Sequence, residues 1–278
     1  MESPGLLLAK ADAAFERTTP PVRGSALYCG VDLGTASIIV VVLNCDGEPI
    51  ACEMEPCQVA RDGLVVDYMG AIAITKRLKG RLEERIGAKL EMAGIAVPPG
   101  TNNANSGTHR NIVEASGMEV TGVFDEPTAA NAVLGITDGV VVDIGGGTTG
   151  LSIFKDGHVI YTADEATGGR HMSLVLMGRY KMSYEEAEAF KQNPQNAGEV
   201  RAAVLPVAEK MAGIVARHIA PYDVKEAWLV GGAAGLSKIE DIFTGVLGVA
   251  TSKPPYPMMV TPLGIALGIL PEGVKLEC

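Results

Sequence analysis

The sequence predicts an α/β protein made of two similar halves that face one cleft. Three observations predict it. A strand ending in an Asp–Gly–Thr turn occurs twice, as Gly30-Val31-Asp32-Leu33-Gly34-Thr35 and as Val141-Val142-Asp143-Ile144-Gly145-Gly146-Gly147-Thr148. Each copy continues into an apolar strand and an Asp-Gly turn, Asp46-Gly47 and Asp156-Gly157. Each copy also opens about half of the 278 residues, so the repeat is a duplication and not a solenoid.

The elements follow in order. Residues 3–17 form an amphipathic helix with Leu7, Leu8, Ala11, Ala14 and Phe15 on one face. Thr18-Thr19-Pro20-Pro21 ends it as a linker, so residues 1–24 stand apart. Such a helix either packs on the body or docks a partner in a groove, and it is the candidate docking element. Strands follow at 28–32, 37–44 and 49–54, with Asp46-Gly47 as a hairpin turn. A helix over about 70–92 carries Ile74, Leu78, Leu82, Ile86 and Leu90 on one face. Lys76, Arg77, Arg81, Glu84 and Arg85 fill its wet face. A short strand at 95–97 stops at Pro98-Pro99-Gly100. The polar run 101–108 reads as a loop and a candidate lid, 110–116 as a helix and 119–125 as a strand.

In the second copy, strands are expected at 139–144, 150–154 and 158–162. Helices are expected at 170–180, from Ser183 with Glu186 at capping-box spacing, and at 198–218. Pro206 must kink that last helix or start it. A strand at 226–230, the Gly231-Gly232 turn and helices at 236–247 and 263–270 complete the chain. The halves divide as 25–137 and 138–278, and the last helix, about 261–270, can cross back to the first half.

Composition narrows the function. Apolar residues make up 47% and charged residues 20%, enough for a real core. A net charge of −10 argues against nucleic acid or an anionic membrane as partner. Aromatics at 5% with one Trp argue against a stacking surface. There is no secretory signal and no apolar run of about 18 residues, so a cytoplasmic location is expected. Five cysteines suit neither a disulfide scaffold nor, at the spacing of Cys45, Cys52 and Cys57, a metal site. They read as buried free thiols. His109, His158 and His218 share no metal spacing, and His171 reads as an exposed residue opening a helix.

The glycine turns have a physical logic. Glycines let backbone N–H groups approach an anion with no Cβ in the way, and Thr hydroxyls add donors. An Asp at a strand end is well placed to hold a Mg²⁺ shell through water. Two such hairpins facing each other would grip a polyphosphate from both sides. No Walker lysine and no Gly-x-Gly-x-x-Gly turn into a helix is present.

These residues resemble the actin, sugar kinase and heat-shock chaperone ATPase superfamily. Val31 to Thr35 is similar to its first phosphate loop and Asp143 to Thr149 to its second. Asp125-Glu126-Pro127-Thr128-Ala129-Ala130 resembles the first connecting helix, Leu229 to Ala233 the adenosine motif, and Thr261 to Gly268 the second connecting helix. Within the superfamily, three stretches are most similar to the chaperone-like proteins of ethanolamine utilisation: Arg61-Asp62-Gly63 to Tyr68, Pro98 to Thr101, and Ala163 to Gly169 followed by His171.

The resemblance implies two duplicated actin-like (ribonuclease H-like) lobes around a nucleotide cleft, with reduced insertions. It implies ATP and Mg²⁺ as ligands. Gly34, Thr35, Gly145, Gly146, Gly147 and Thr148 would donate to the β- and γ-phosphates. Asp32 and Asp143 would order Mg²⁺ through water. Glu126 would orient the attacking water or pin the hinge, completing a catalytic set with the two aspartates. Gly231, Gly232 and Ala233 would line the adenosine, and Glu209 would reach the ribose. The implied activity is slow Mg²⁺-dependent ATP hydrolysis driving a switch. Its implied client is the cobalamin-dependent lyase of ethanolamine breakdown or the bacterial microcompartment around it. A small-molecule kinase, a filament-forming actin relative and an adaptor that has lost the chemistry are the alternatives. The chaperones' catalytic lysine has no clear match here, because Lys76 and Arg77 lie on a solvated helix face.

Overall fold

The computed structural model describes residues 3–61, 64–101 and 103–271. Helix α1 (Pro4–Ala13) is capped by Ser3. Three strands follow, β1 (Tyr28–Leu33), β2 (Ser37–Leu43) and β3 (Pro49–Pro56), each antiparallel to the last because the connections are tight hairpins. A two-stranded ribbon, β4 (Ala60–Arg61) and β5 (Leu64–Val65), precedes α2 (Tyr68–Ile86). Helical crossovers then bring β6 (Met92–Val97) and, after α3 (Asn103–Ala115), β7 (Glu119–Asp125) into parallel register beside β1. The first sheet therefore has the order β3-β2-β1-β6-β7.

After α4 (Glu126–Leu134) the plan repeats. Strands β8 (Gly139–Ile144), β9 (Thr149–Lys155) and β10 (His158–Glu165) form an antiparallel meander. Helices α5 (Gly169–Tyr180), α6 (Tyr184–Gln192) and α7 (Ala197–Ile219) lead to β11 (Glu226–Val230), and α8 (Ile239–Leu247) leads to β12 (Ala250–Ser252). Both strands run parallel to β8, giving the order β10-β9-β8-β11-β12. The two sheets share one topology, as the duplication requires. Among the described residues, no helix is long and apolar enough to cross a membrane.

Helix α9 (Val260–Gly268) follows the second sheet but lies on the first. Gly30, Gly94 and Gly122 stand in register on three adjacent strands and make a groove for it. A Cβ at Gly30 would overlap the Pro262 carbonyl, and one at Gly122 would overlap Ile269. Helix α4 makes the reciprocal crossing: it follows the first sheet and packs on β8 and β9 of the second. The two helices touch at Gly264, where a Cβ would overlap the Ala129 carbonyl oxygen. Backbone-to-backbone contact of this kind joins the lobes.

Several expectations are corrected. Helix α2 ends at Ile86, not near 92, because Gly87 takes a left-handed C-cap (φ 72°) and Glu83 Oε1 accepts from Leu90 N at 3.0 Å. Strand β6 consequently begins at Met92. Helix α3 begins at Asn103, so most of the expected 101–108 loop is helical. His109, Ile112 and Val113 are its buried side chains, and Ser116, just past its end, is buried too. Of the two roles expected for Pro206, a helix start is excluded, because α7 runs through it. Pro206 and Ala202 are both exposed, so the carbonyl that loses its partner faces water. Strand β12 and the ribbon are too short to read from periodicity.

Helix α1 packs on the body. Leu7, Leu8, Ala11 and Ala14 are buried in one cluster with Ile39, Val41, Met259 and Leu263. Arg85, expected on a wet face, instead donates to the Ala14 carbonyl at 2.9 Å and the Cys52 carbonyl at 2.8 Å, and pairs with Glu53 at 2.7 Å. The apolar face expected to dock a partner is thereby covered. Of the thiols, Cys29 and Cys52 are buried but Cys45 and Cys57 only half-buried. Burial pushes Cys29 up to about 12.

Candidate functional site

The strand ends of the two sheets converge. Asp32 ends β1 and Asp143 ends β8, at equivalent places in the repeated topology. Glu126 opens α4 directly after β7, where Asp125 caps the helix by accepting from Thr128 N at 3.0 Å. Asp143 is 6% exposed, while Asp32 and Glu126 keep part of their surface open to the cleft. Thr261, at the start of α9, donates its hydroxyl to Asp143 Oδ2 at 2.5 Å.

Burial and neighbouring charge raise the proton affinity of these carboxyls. Burial, then the Asp143 charge beside it, pushes the Asp32 carboxyl up to about 7. Burial pushes Asp143 up to about 6 against the Thr261 hydrogen bond, which favours its ionised form. Glu126 is raised well above the usual carboxylate range by burial, then by the charges of Asp143, Asp32, Asp164 and Asp125.

Asp164 was not among the residues expected from sequence. Burial pushes it up to about 6, opposed by a hydrogen bond from Thr148. Register explains its place. Asp143 pairs with Gly150 across β8 and β9, and Gly150 with Asp164 across β9 and β10, so both carboxyls point to one face with no side chain between them. The corresponding pairs in the first sheet run Asp32, Ile39, Met54. Alternation counted back from Asp143 would have found Asp164; residue type alone could not.

The glycine turns meet at this floor. A Cβ on Gly146 would lie 2.9 Å from the Ala36 Cβ and 3.5 Å from the Thr35 Cβ. Gly145 N donates to the Thr148 carbonyl at 3.0 Å, closing the second turn. The Gly145 and Gly146 carbonyls accept from Gly169 N (2.9 Å) and Arg170 N (2.8 Å) at the start of α5. Because a trans peptide sets its N–H opposite its C=O, the Gly146 and Gly147 N–H groups point away from α5. They are free of the helix that anchors the turn.

The expected adenosine loop lies alongside. Gly231 has φ 88°, and a Cβ there would overlap Asp143 Oδ1. The Ala233 Cβ stands 3.0 Å from where a Cβ on Gly169 would sit. Glu209 is exposed on α7 and has no hydrogen bond or ion pair among the described residues. His171 is not simply exposed: its Nδ1 accepts from Gly168 N at 3.3 Å.

A divalent cation fits this floor by donor chemistry, since the groups are hard anionic oxygens. Asp164 Oδ1 is buried with no hydrogen-bond partner. Among the described residues, no three His, Cys, Asp or Glu side chains are grouped to ligate one ion directly.

Known proteins share this architecture. The chain is 42% identical over 249 residues to the ethanolamine utilization protein EutJ of Escherichia coli K12, covering 89% of this chain and 88% of that protein. The crystal structure of EutJ from Carboxydothermus hydrogenoformans matches with a TM-score of 0.89 at 42% identity, over 95% of this chain and 97% of that one. The crystal structure of MreB5 of Spiroplasma citri bound to ADP matches with a TM-score of 0.65 at 18% identity, over 86% and 94% of the two chains, and shows a shared fold. A family model described as type IV pilus assembly protein PilM matches residues 132–256.

Proposed function

Because the chain belongs to the EutJ family of ethanolamine utilization proteins, we propose that it is a nucleotide-driven switch of that system, binding Mg²⁺-ATP and hydrolysing it slowly. The observation that carries this reading is the meeting of Asp32 and Asp143, with Glu126, beneath two glycine turns that touch. Four neighbouring carboxylates with raised proton affinity, the buried Asp143 and the part-buried Asp32, Glu126 and Asp164, are an unfavourable set unless positive charge joins them. MreB5, which shares the fold, is described bound to ADP.

In this reading residues 25–137 and 138–278 are the moving lobes. The Gly34–Thr35 turn and the Gly145–Thr148 turn grip the phosphates through backbone N–H and hydroxyl groups. Mg²⁺, when bound, neutralises phosphate charge. Asp32 and Asp143 hold its water shell, and Glu126 accepts a hydrogen bond from the attacking water. Gly231, Gly232 and Ala233 line the adenosine, with Glu209 toward the ribose. Because the turns touch, the lobes part to admit a triphosphate. The γ-phosphate then bridges them, and its loss releases the bridge.

The client is an enzyme or shell component of ethanolamine catabolism, in the cytoplasm. It is recognised elsewhere than through the apolar face of α1, which is already buried. Titration calorimetry with ATP and ADP, with and without Mg²⁺, followed by phosphate release, tests the nucleotide reading. Mg²⁺-dependent binding with slow release is expected. Failure to bind either nucleotide at millimolar concentration would remove it.

A further inference from the structure

A polyphosphate over a floor of carboxylates needs a cation besides the metal. The basic side chains around the turns divide sharply. Lys76 is exposed on α2, and Arg77 is engaged with Glu55. Lys191 donates to Ser173 Oγ at 2.7 Å, to Glu188 Oε1 at 2.7 Å and to the Gly169 carbonyl at 3.3 Å. Arg170 differs from all three. Its backbone N–H is held by the Gly146 carbonyl at 2.8 Å, which fixes it against the second turn. Its side chain is half-buried and, among the described residues, its guanidinium has no hydrogen bond or ion pair.

Arg170 lines a small cavity between the lobes. Thr35, Ala36 and Gln58 line it from the first lobe, and Gly146, Arg170 and Tyr184 from the second. Two of its walls are the tips of the two glycine turns. Glu188, hydrogen-bonded to Tyr184, is ion-paired with Lys191. The planar fork of a guanidinium matches phosphate oxygens two at a time.

We propose that Arg170 is a binding residue for the terminal phosphate of ATP, reaching it from the second lobe while Thr35 reaches it from the first. This rests on the nucleotide reading above and deepens it. It gives the switch a second reason to distinguish ATP from ADP, since ADP has no group in the cavity for Arg170 to hold.

The test is titration calorimetry with ATP and with ADP, each with Mg²⁺, on the wild type, R170A and R170K. R170A is expected to weaken ATP by about tenfold or more while changing ADP by less than about twofold. R170K is expected to recover part of the loss, because it keeps the charge but not the fork. Retained ADP binding shows that the variant's cleft is folded. Equal weakening of both nucleotides, or unchanged ATP affinity in R170A, overturns the assignment of Arg170 and leaves the nucleotide reading standing. A wild type that binds neither nucleotide removes both.

Discussion

Thr261 and Asp143 belong to the same half of the chain but to elements packed in different lobes, and they share one hydrogen bond, Thr261 Oγ1 donating to Asp143 Oδ2 at 2.5 Å. Thr261 opens α9, which lies on the first sheet, and Asp143 ends β8 of the second. The bond thus ties a cleft carboxylate to the helix that joins the lobes.

Thr261→Val removes that donor and leaves a buried carboxylate less well satisfied. At pH 8, where Asp143 is charged, unfolding free energy should fall by about 1–3 kcal/mol. At pH 5 the loss should be smaller, because a protonated carboxyl is easier to bury. Urea unfolding at the two pH values checks this. Equal losses would show that the hydroxyl acts through packing alone.

The carboxylate floor sets a pH dependence of known sign. Asp32, Asp143 and Asp164 have an ordinary value of 3.8 and folded values of about 7, 6 and 6. Between those limits the folded protein holds more protons than the unfolded chain, so their contribution to stability falls as pH rises from about 4 to about 7. Asp32→Asn should therefore stabilise the nucleotide-free protein at pH 8 by about 1–3 kcal/mol and do little at pH 4. Thermal unfolding across that range measures it, and destabilisation at pH 8 would contradict it. The same variant should lose Mg²⁺-ATP affinity.

Glu126→Gln keeps shape and removes a base. Phosphate release should slow by about 10²-fold, with ATP affinity changed by less than about threefold. Comparable loss of binding and turnover would instead assign Glu126 to the hinge.

The crossing of α4 and α9 depends on a missing side chain. Gly264→Ala places a methyl group on the Ala129 carbonyl and should lower stability by about 3 kcal/mol or more. Gly213→Ala, inside α7 with open space around it, should raise stability by about 0.5–1 kcal/mol. Denaturant midpoints of the two variants should move in opposite directions.

Leu8 is fully buried under α1, so Leu8→Ala should lower stability by about 2–4 kcal/mol. A neutral outcome by urea unfolding would show that α1 detaches from the body in solution.

Much of this was legible in the residues. The repeated Asp–Gly–Thr turns fixed the duplication, the paired sheets and the meeting of Asp32 with Asp143. The capping box at Ser183 and Glu186 is present, with Ser183 N donating to Glu186 Oε2 at 2.7 Å. Less legible were features that rest on register or long-range contact. Asp164 reaches the floor only through pairing across Gly150. Helix α3 buries the polar His109 along with Ile112 and Val113.

From sequence alone came the class, the order of most elements and the paired glycine turns, because strand periodicity and turn residues act over a few positions of chain. Tertiary structure alone decided that α1 is core, that Gly30, Gly94 and Gly122 form one groove, and that Arg170 and Thr35 line one cavity between the lobes. These relations join residues far apart in the chain, and close packing and charge act on distance in space.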